Sequence, residues 1–273
     1  MSGFFLGLQK ILPQHSLSRL VGWLAQSQIP LIRRPFIHLF AWAYDISLAD
    51  AERKELDDYH SFNDFFTRAL ADGARPPPEQ PNALACPVDG TVSQVGRIQS
   101  DLLMQAKGHQ YTLNSLAGET GKGFEDGDFC TIYLAPSNYH RIHLPWDGTL
   151  VETRAVPGAL FSVNGVTEAG LPGLFCRNEH LVCRFETEHG PILLVLVGAL
   201  IVASIETVWK GPASPYREEI VTQYEQAFKR GDEIGRFLLG STVICCFVKD
   251  AVTLAEHLDA GTVVRLGEMI GAP

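Results

Sequence analysis

The spacing of apolar positions changes once along the chain. In the first part they recur at three- and four-residue intervals. Phe4, Leu8, Ile11 and Leu12 share one helical face, and Leu17, Leu20, Val21 and Leu24 repeat it after Pro13. A third stretch, punctuated by Pro30 and Pro35, lines up Phe36, Leu39, Phe40 and Ala43. Ser61 and Asp64 have capping-box spacing, which predicts a short helix from Asp64 to Leu70. Pro76, Pro77 and Pro78 then close the helical part as a linker. From Ala83 onward β-branched and apolar runs follow one another between Gly and Pro. Strands are predicted at Thr91–Ile98, Phe129–Leu134, Thr149–Val156, Leu181–Phe185, Ile192–Val197, Leu200–Val208 and Leu238–Val248. The expected class is α+β, with a helical segment over 1–75 and a mostly β body over 83–273. A short repeat, Pro87-Val88-Asp89-Gly90-Thr91-Val92 against Pro145-Trp146-Asp147-Gly148-Thr149-Leu150, suggests two related β layers, each strand entered through an Asp-Gly turn.

Composition and charge sharpen this picture. The 273 residues carry a net charge of −9, which argues against a general nucleic-acid binder. The charge is uneven: residues 1–44 hold Lys10, Arg19, Arg33 and Arg34 and no acid, a net +4, and the rest carries −13. A basic, aromatic, amphipathic head suits a membrane interface, and the same apolar stripe equally suits packing on the body. The longest uncharged run, Pro191 to Ile205, has 15 residues and is broken by Gly198. A membrane span takes roughly 20, so two buried strands are expected there. None of the six cysteines has CxxC spacing, so reduced thiols are expected rather than a zinc site.

Three places could carry chemistry. Gly240-Ser241 interrupts the apolar run around 238–248. It reads either as a strand bulge or as a backbone cleavage site, since Gly240 has no Cβ and its carbonyl is open to the Ser241 hydroxyl. Tyr139-His140-Arg141-Ile142-His143 offers two near-neutral bases between Pro136 and Pro145, and no further metal ligand is obvious. Asp89 and Asp147 lie in nearly identical turns, and either could orient a histidine.

Together these segments resemble the phosphatidylserine decarboxylase family, the bacterial pyruvoyl-dependent type. The matching pieces are Leu239-Gly240-Ser241-Thr242, YHRIH at 139–143, CPVDGTV at 86–92, Phe161–Asn164, Leu174–Glu179 and VGALIVASIETVW at 197–209. Cys176 stands where a small residue such as alanine is expected. The resemblance implies self-cleavage between Gly240 and Ser241 into a β chain of residues 1–240 and an α chain of residues 241–273. Ser241 would become a covalent pyruvoyl group, the only cofactor, and form the Schiff base with the substrate, with no metal. His143 is similar to the family's triad base, Asp89 to its orienting acid, and His140 to a histidine that assists decarboxylation. Both histidines should then face one pocket, with 140–143 bent rather than regular. The implied substrate is phosphatidylserine, converted to phosphatidylethanolamine and CO2 in phospholipid biosynthesis. The implied setting is peripheral, on the cytoplasmic side of the cell membrane against anionic lipid, with a homodimer suggested. A serine hydrolase using the same three residues and a non-catalytic lipid-binding module are the alternatives.

Overall fold

The computed structural model describes residue 9 and residues 14–199, 205–212, 214–238 and 241–273. Phe4, Leu8, Lys10, Ile11 and Leu12, the start of the predicted strand at 200–208, and Leu239-Gly240 lie outside the described residues.

Helices α1 (Gln14–Gln26), α2 (Pro30–Ala43) and α3 (Phe62–Phe66) build the N-terminal unit. Pro30 sits in the first turn of α2, where its missing N–H has no partner to lose. Ala25, Ile37 and Ala41 close over Tyr59, Phe62, Phe65 and Phe66, and Phe36 stacks on Phe62 at 4.1 Å. The helix expected over 64–70 begins and ends earlier. The Ser61 hydroxyl accepts from the Asp64 N–H at 3.1 Å and starts it at Phe62. Asp64 does not reach back to complete a box. Its carboxylate accepts a pair of bonds from Arg53, at 2.6 and 2.7 Å, and one from the His60 N–H. The Thr67 hydroxyl, donating to the Asn63 carbonyl at 2.8 Å, closes the last turn.

The body contains β1 (Leu84–Ala85), β2 (Gly90–Arg97), β3 (Leu102–Met104), β4 (Gln110–Thr112), β5 (Asp128–Leu134), β6 (Arg141–His143), β7 (Gly148–Val156), β8 (His180–Thr187), β9 (Ile192–Val197), β10 (Ile205–Thr207), β11 (Ile220–Phe228), β12 (Glu233–Phe237), β13 (Ser241–Phe247), β14 (Thr253–Leu254), β15 (Val263–Val264) and β16 (Met269–Ala272). Three short helices, α4 (Leu113–Ala117), α5 (Gly165–Gly170) and α6 (Leu174–Arg177), lie between them. Eight strands form one antiparallel sheet in the order β11-β7-β8-β9-β13-β5-β2-β15.

The middle of this sheet is buried on both faces, which is why its central strands read as unbroken apolar runs. Ile192, Leu194 and Leu196 of β9 point into one core, and Leu193, Val195 and Val197 into the other. The first core is covered by two small sheets, β10-β12-β6 and β1-β16-β14, through Ile142, Ile234, Phe237 and Ile270. The second is covered by α4, α6 and the β3–β4 hairpin through Leu103, Leu113, Leu116 and Phe175. Cys245 and Cys246 fall on opposite faces, and all six cysteines are free thiols.

The strand predicted across 238–248 appears as β13, shorter at both ends, and it follows β12, a strand that the hydropathy pattern did not predict. β12 ends at Phe237 in the small sheet, and β13 starts at Ser241 in the middle of the large one. The chain therefore changes layer between Phe237 and Ser241.

Candidate active site

Backbone pairing brings the sequence-selected residues to one end of the large sheet. Ser241 opens β13 and pairs with Leu134, the last residue of β5. On the other side of β5, Thr91 pairs with Tyr133, so Asp89 stands at the entry of the strand two places from β13, about 10 Å away. A Cβ on Gly90 would lie 2.6 Å from the Tyr133 carbonyl oxygen, so only glycine admits the close approach of β2 and β5 just after Asp89. Beyond Leu134 the chain runs through Tyr139 and His140 into β6. There the Phe237 N–H donates to the His140 carbonyl at 2.9 Å. Segments 134–140 and 237–241 are thus tied together at both ends.

The two histidines are held alike. In each, Nδ1 lies against a backbone carbonyl, Asn138 at 2.8 Å for His140 and Gly231 at 2.7 Å for His143. A carbonyl only accepts, so Nδ1 carries the ring proton and Nε2 keeps its lone pair. For His143 that lone pair accepts from the Tyr139 hydroxyl at 3.0 Å. For His140, which is fully buried, Nε2 has no hydrogen-bond partner among the described residues. Burial drives the His140 pKa down to about 3. The nearby Arg68 charge acts in the same direction, and the Asn138 carbonyl opposes it. Burial also lowers the pKa of His143, against the pull of Gly231. The bend expected over 140–143 is not in the paired residues: Arg141, Ile142 and His143 pair consecutively as strand, and the extra residue at the register slip is Ile234 of β12. The two rings have different described surroundings. His143 lines a cleft of about 490 Å³ with Arg75, Tyr139, Arg141 and Arg230, whereas the His140 ring packs on Phe66 at 4.0 Å.

The aspartates separate clearly. Asp147 is a surface residue paired with Lys229 at 2.8 Å. Asp89 is 7% exposed and accepts from Arg75 at 3.0 and 2.7 Å and from the Leu266 N–H at 2.8 Å. Among the described residues no hydrogen bond joins Asp89 to His143. Arg75 and Tyr139 line both the His143 cleft and a second one of about 300 Å³ that holds Asp89. Of Ser241 the structure describes the backbone position, and Gly240 lies outside.

Sequence reasoning missed Phe66, Arg68 and Arg75, which come from the N-terminal side of the proline linker. They bind residues far along the chain, and no local spacing marks such contacts. The one signal was compositional, a cation inside the run Phe65-Phe66-Thr67-Arg68.

The family model described as phosphatidylserine decarboxylase matches residues 62–272, and one described as PSD matches residues 4–45. The chain belongs to the phosphatidylserine decarboxylase family. Curated relatives bear the name phosphatidylserine decarboxylase proenzyme. That of Psychrobacter cryohalolentis is 48% identical over 271 residues, 98% of each chain. That of Pseudomonas paraeruginosa is 48% identical, covering 98% of this chain and 96% of its own. That of Acinetobacter baumannii strain AYE is 46% identical over 98% of this chain and 95% of its own. Asp89, Tyr139, His140, His143 and Ser241 fall within the span matched by the phosphatidylserine decarboxylase model, as do Phe66, Arg68 and Arg75.

Proposed function

We propose that this chain is a proenzyme that cuts itself between Gly240 and Ser241 and then converts phosphatidylserine to phosphatidylethanolamine and CO2. One observation carries the proposal. In a chain of this family, Ser241 opens a central strand at the sheet end where Asp89, Tyr139, His140 and His143 gather.

In the cut, the Ser241 oxygen attacks the Gly240 carbonyl carbon while a base takes its proton. The Gly240–Ser241 C–N bond breaks, the serine nitrogen gains a proton, and an ester results. Loss of the Ser241 α-proton then expels the Gly240 carboxylate, and hydrolysis of the remaining enamine releases ammonia. His143 is the base in this reading, because the Gly231 carbonyl keeps its proton on Nδ1 and its lone pair on Nε2. Tyr139 covers that lone pair in the uncut chain and has to rotate away. Asp89 completes the triad from the neighbouring cleft, with Arg75 holding its carboxylate ready.

The surroundings of Ser241 fit a covalent pyruvoyl group. Cutting leaves residue 241 as a chain terminus, yet the pairing of Thr242 with Tyr133 and Val197 keeps it in place. Such a group supplies a ketone for the substrate amine and an electron sink for the bond to CO2. His140, neutral and with an unpartnered Nε2, holds and moves the proton of that step.

The membrane face belongs to the same proposal. α2 packs Phe36, Ile37, Phe40 and Ala41 inward and turns Leu31, Leu39 and Trp42 outward, 88%, 63% and 81% exposed. Leu20 and Trp23 of α1 are exposed too. No described helix is long and apolar enough to cross a membrane. An apolar face of this size suits shallow burial at the head-group level, on the cytoplasmic side, where the substrate's acyl chains remain in the bilayer. A homodimer is part of the same reading.

Intact mass under denaturing conditions tests the core of it. Chains of 240 and 33 residues are expected, the shorter without a free amine, and Ser241→Ala should give one inactive chain. Borohydride should inactivate the wild type by reducing the ketone. A chain that stays uncut and hydrolyses an ester substrate would favour the serine hydrolase instead.

A further inference from the structure

We propose that Arg68 is a positioning residue for the decarboxylation step, its guanidinium holding the carbonyls that aim His140. This role rests on the one given to His140 above.

Arg68 leaves α3 just after Thr67 and is 5% exposed. Its Nη2 donates to the Ser137 carbonyl at 2.9 Å and to the Asn138 carbonyl at 3.3 Å. The Asn138 oxygen is the same atom that accepts the His140 Nδ1 proton at 2.8 Å. One carbonyl therefore joins the cation to the imidazole. Fixing that oxygen fixes which ring nitrogen is protonated, and leaves Nε2 as a buried, unpartnered lone pair. The ring plane is set from the same stretch, since Phe66 packs on His140 at 4.0 Å. The Arg141 Nε, donating to the Thr67 carbonyl at 2.8 Å, locks the stretch to β6.

Packing alone does not account for an arginine here. No carboxylate is hydrogen-bonded to it among the described residues, and its Nη1 is buried without a partner. Burying a cation in this way costs stability, and an apolar side chain could fill the space beside Phe65 without that cost. What arginine adds is the two-carbonyl grip on the 137–138 turn, with a positive charge that disfavours protonation of His140.

The test uses Arg68→Met and Arg68→Lys in the full chain. Both should be cut like the wild type, which also reports correct folding. Against phosphatidylserine in mixed micelles, Arg68→Met should lower kcat on the order of 10- to 100-fold at nearly unchanged KM, the scale of a misplaced catalytic group. Arg68→Lys should recover a large part of that loss. In the uncut Ser241→Ala background, histidine-selective ¹⁵N NMR should show His140 protonated at Nδ1 alone, assigned by its loss in His140→Gln. Adding Arg68→Met should move that signal toward mixed tautomers. An unchanged kcat, a loss confined to KM, or an unaltered His140 signal in Arg68→Met would overturn the proposal. So would failure of both variants to be cut, which would make Arg68 a folding residue. A wild type that is cut but never releases CO2 would refute the function itself, and the NMR comparison would still decide the link between Arg68 and His140.

Discussion

His140 and His143 hold the same tautomer by the same device and differ in what Nε2 meets: no hydrogen-bond partner among the described residues for one, the Tyr139 hydroxyl for the other. Different losses follow. His143→Ala should leave the chain uncut, whereas His140→Ala should be cut and turn over slowly, as gel mobility and CO2 release would show. Normal cutting in both would remove His143 as the base. Asp89→Asn should impair cutting far more than Asp147→Asn, because Asp89 is locked to Arg75 inside the site and Asp147 meets Lys229 at the surface. His140 also makes stability depend on pH. Its folded pKa, about 3, lies below the unfolded value near 6.5, so between these limits only the unfolded chain takes the proton. Its contribution is therefore complete above about pH 6.5 and is lost as pH falls toward 3. From pH 7 to pH 5 this one group should remove about 2 kcal/mol. Urea unfolding of uncut Ser241→Ala should show that slope, and adding His140→Gln should flatten it. An equally steep slope in both would mean that His140 is solvated.

At the scale of elements, the strands with both faces buried were legible in the sequence, because apolar runs bounded by Gly and Pro have few other uses. The runs 129–134 and 192–197 appear as β5 and β9 within a residue of their expected ends, and the half-buried run 149–156 as β7. β11 was missed because, as an exposed edge strand, it carries no apolar rhythm. β12 was missed because Glu233, Gly235 and Arg236 interrupt its apolar pattern, and β13 starts at Ser241 rather than Leu238 because the apolar flank at 238 carries no mark of a change of sheet. For the site, the short motifs supplied Asp89, His140, His143 and Ser241. Arg68 and Arg75 act across the proline linker and had no pattern to show them. The α3 cap gives this scale its own prediction. Ser61→Ala removes the bond to the Asp64 N–H and should cost about 1 kcal/mol, read as a lower urea midpoint with an unchanged slope. A neutral result would mean that the Arg53–Asp64 pair alone fixes the helix start.

At the scale of the whole molecule, the N-terminal helices pack on the body with one face and leave the other exposed for the membrane contact proposed above. Deleting residues 1–44 would strip the cover from Phe62 and Phe66, the latter in contact with His140, so a truncation confuses anchoring with folding. The sharper variant is Leu31→Ser with Leu39→Ser and Trp42→Ser, which leaves the inner face whole. It should be cut normally and act on a soluble short-chain substrate, while sedimentation with anionic vesicles falls at least tenfold, since each buried apolar side chain contributes roughly 1.5–3 kcal/mol. Salt should weaken wild-type binding only in part. Arg34 is already paired with Asp57 at 3.0 Å, and apolar burial is not screened. Undiminished binding of the triple variant would put the membrane contact elsewhere. The placement of β13 has a last consequence. The 33-residue piece supplies a central strand of the large sheet, an edge strand of the same sheet and two strands of a small one. These strands find their partners while still joined to the rest of the chain. Once the bond before Ser241 is broken, unfolding yields two separate molecules, and recovery becomes a second-order encounter that dilution defeats. Uncut Ser241→Ala should regain its circular dichroism on dilution from urea, and the mature enzyme should not. Such a catalyst is assembled once, and a cell that loses it to heat or denaturation has to replace it by fresh synthesis.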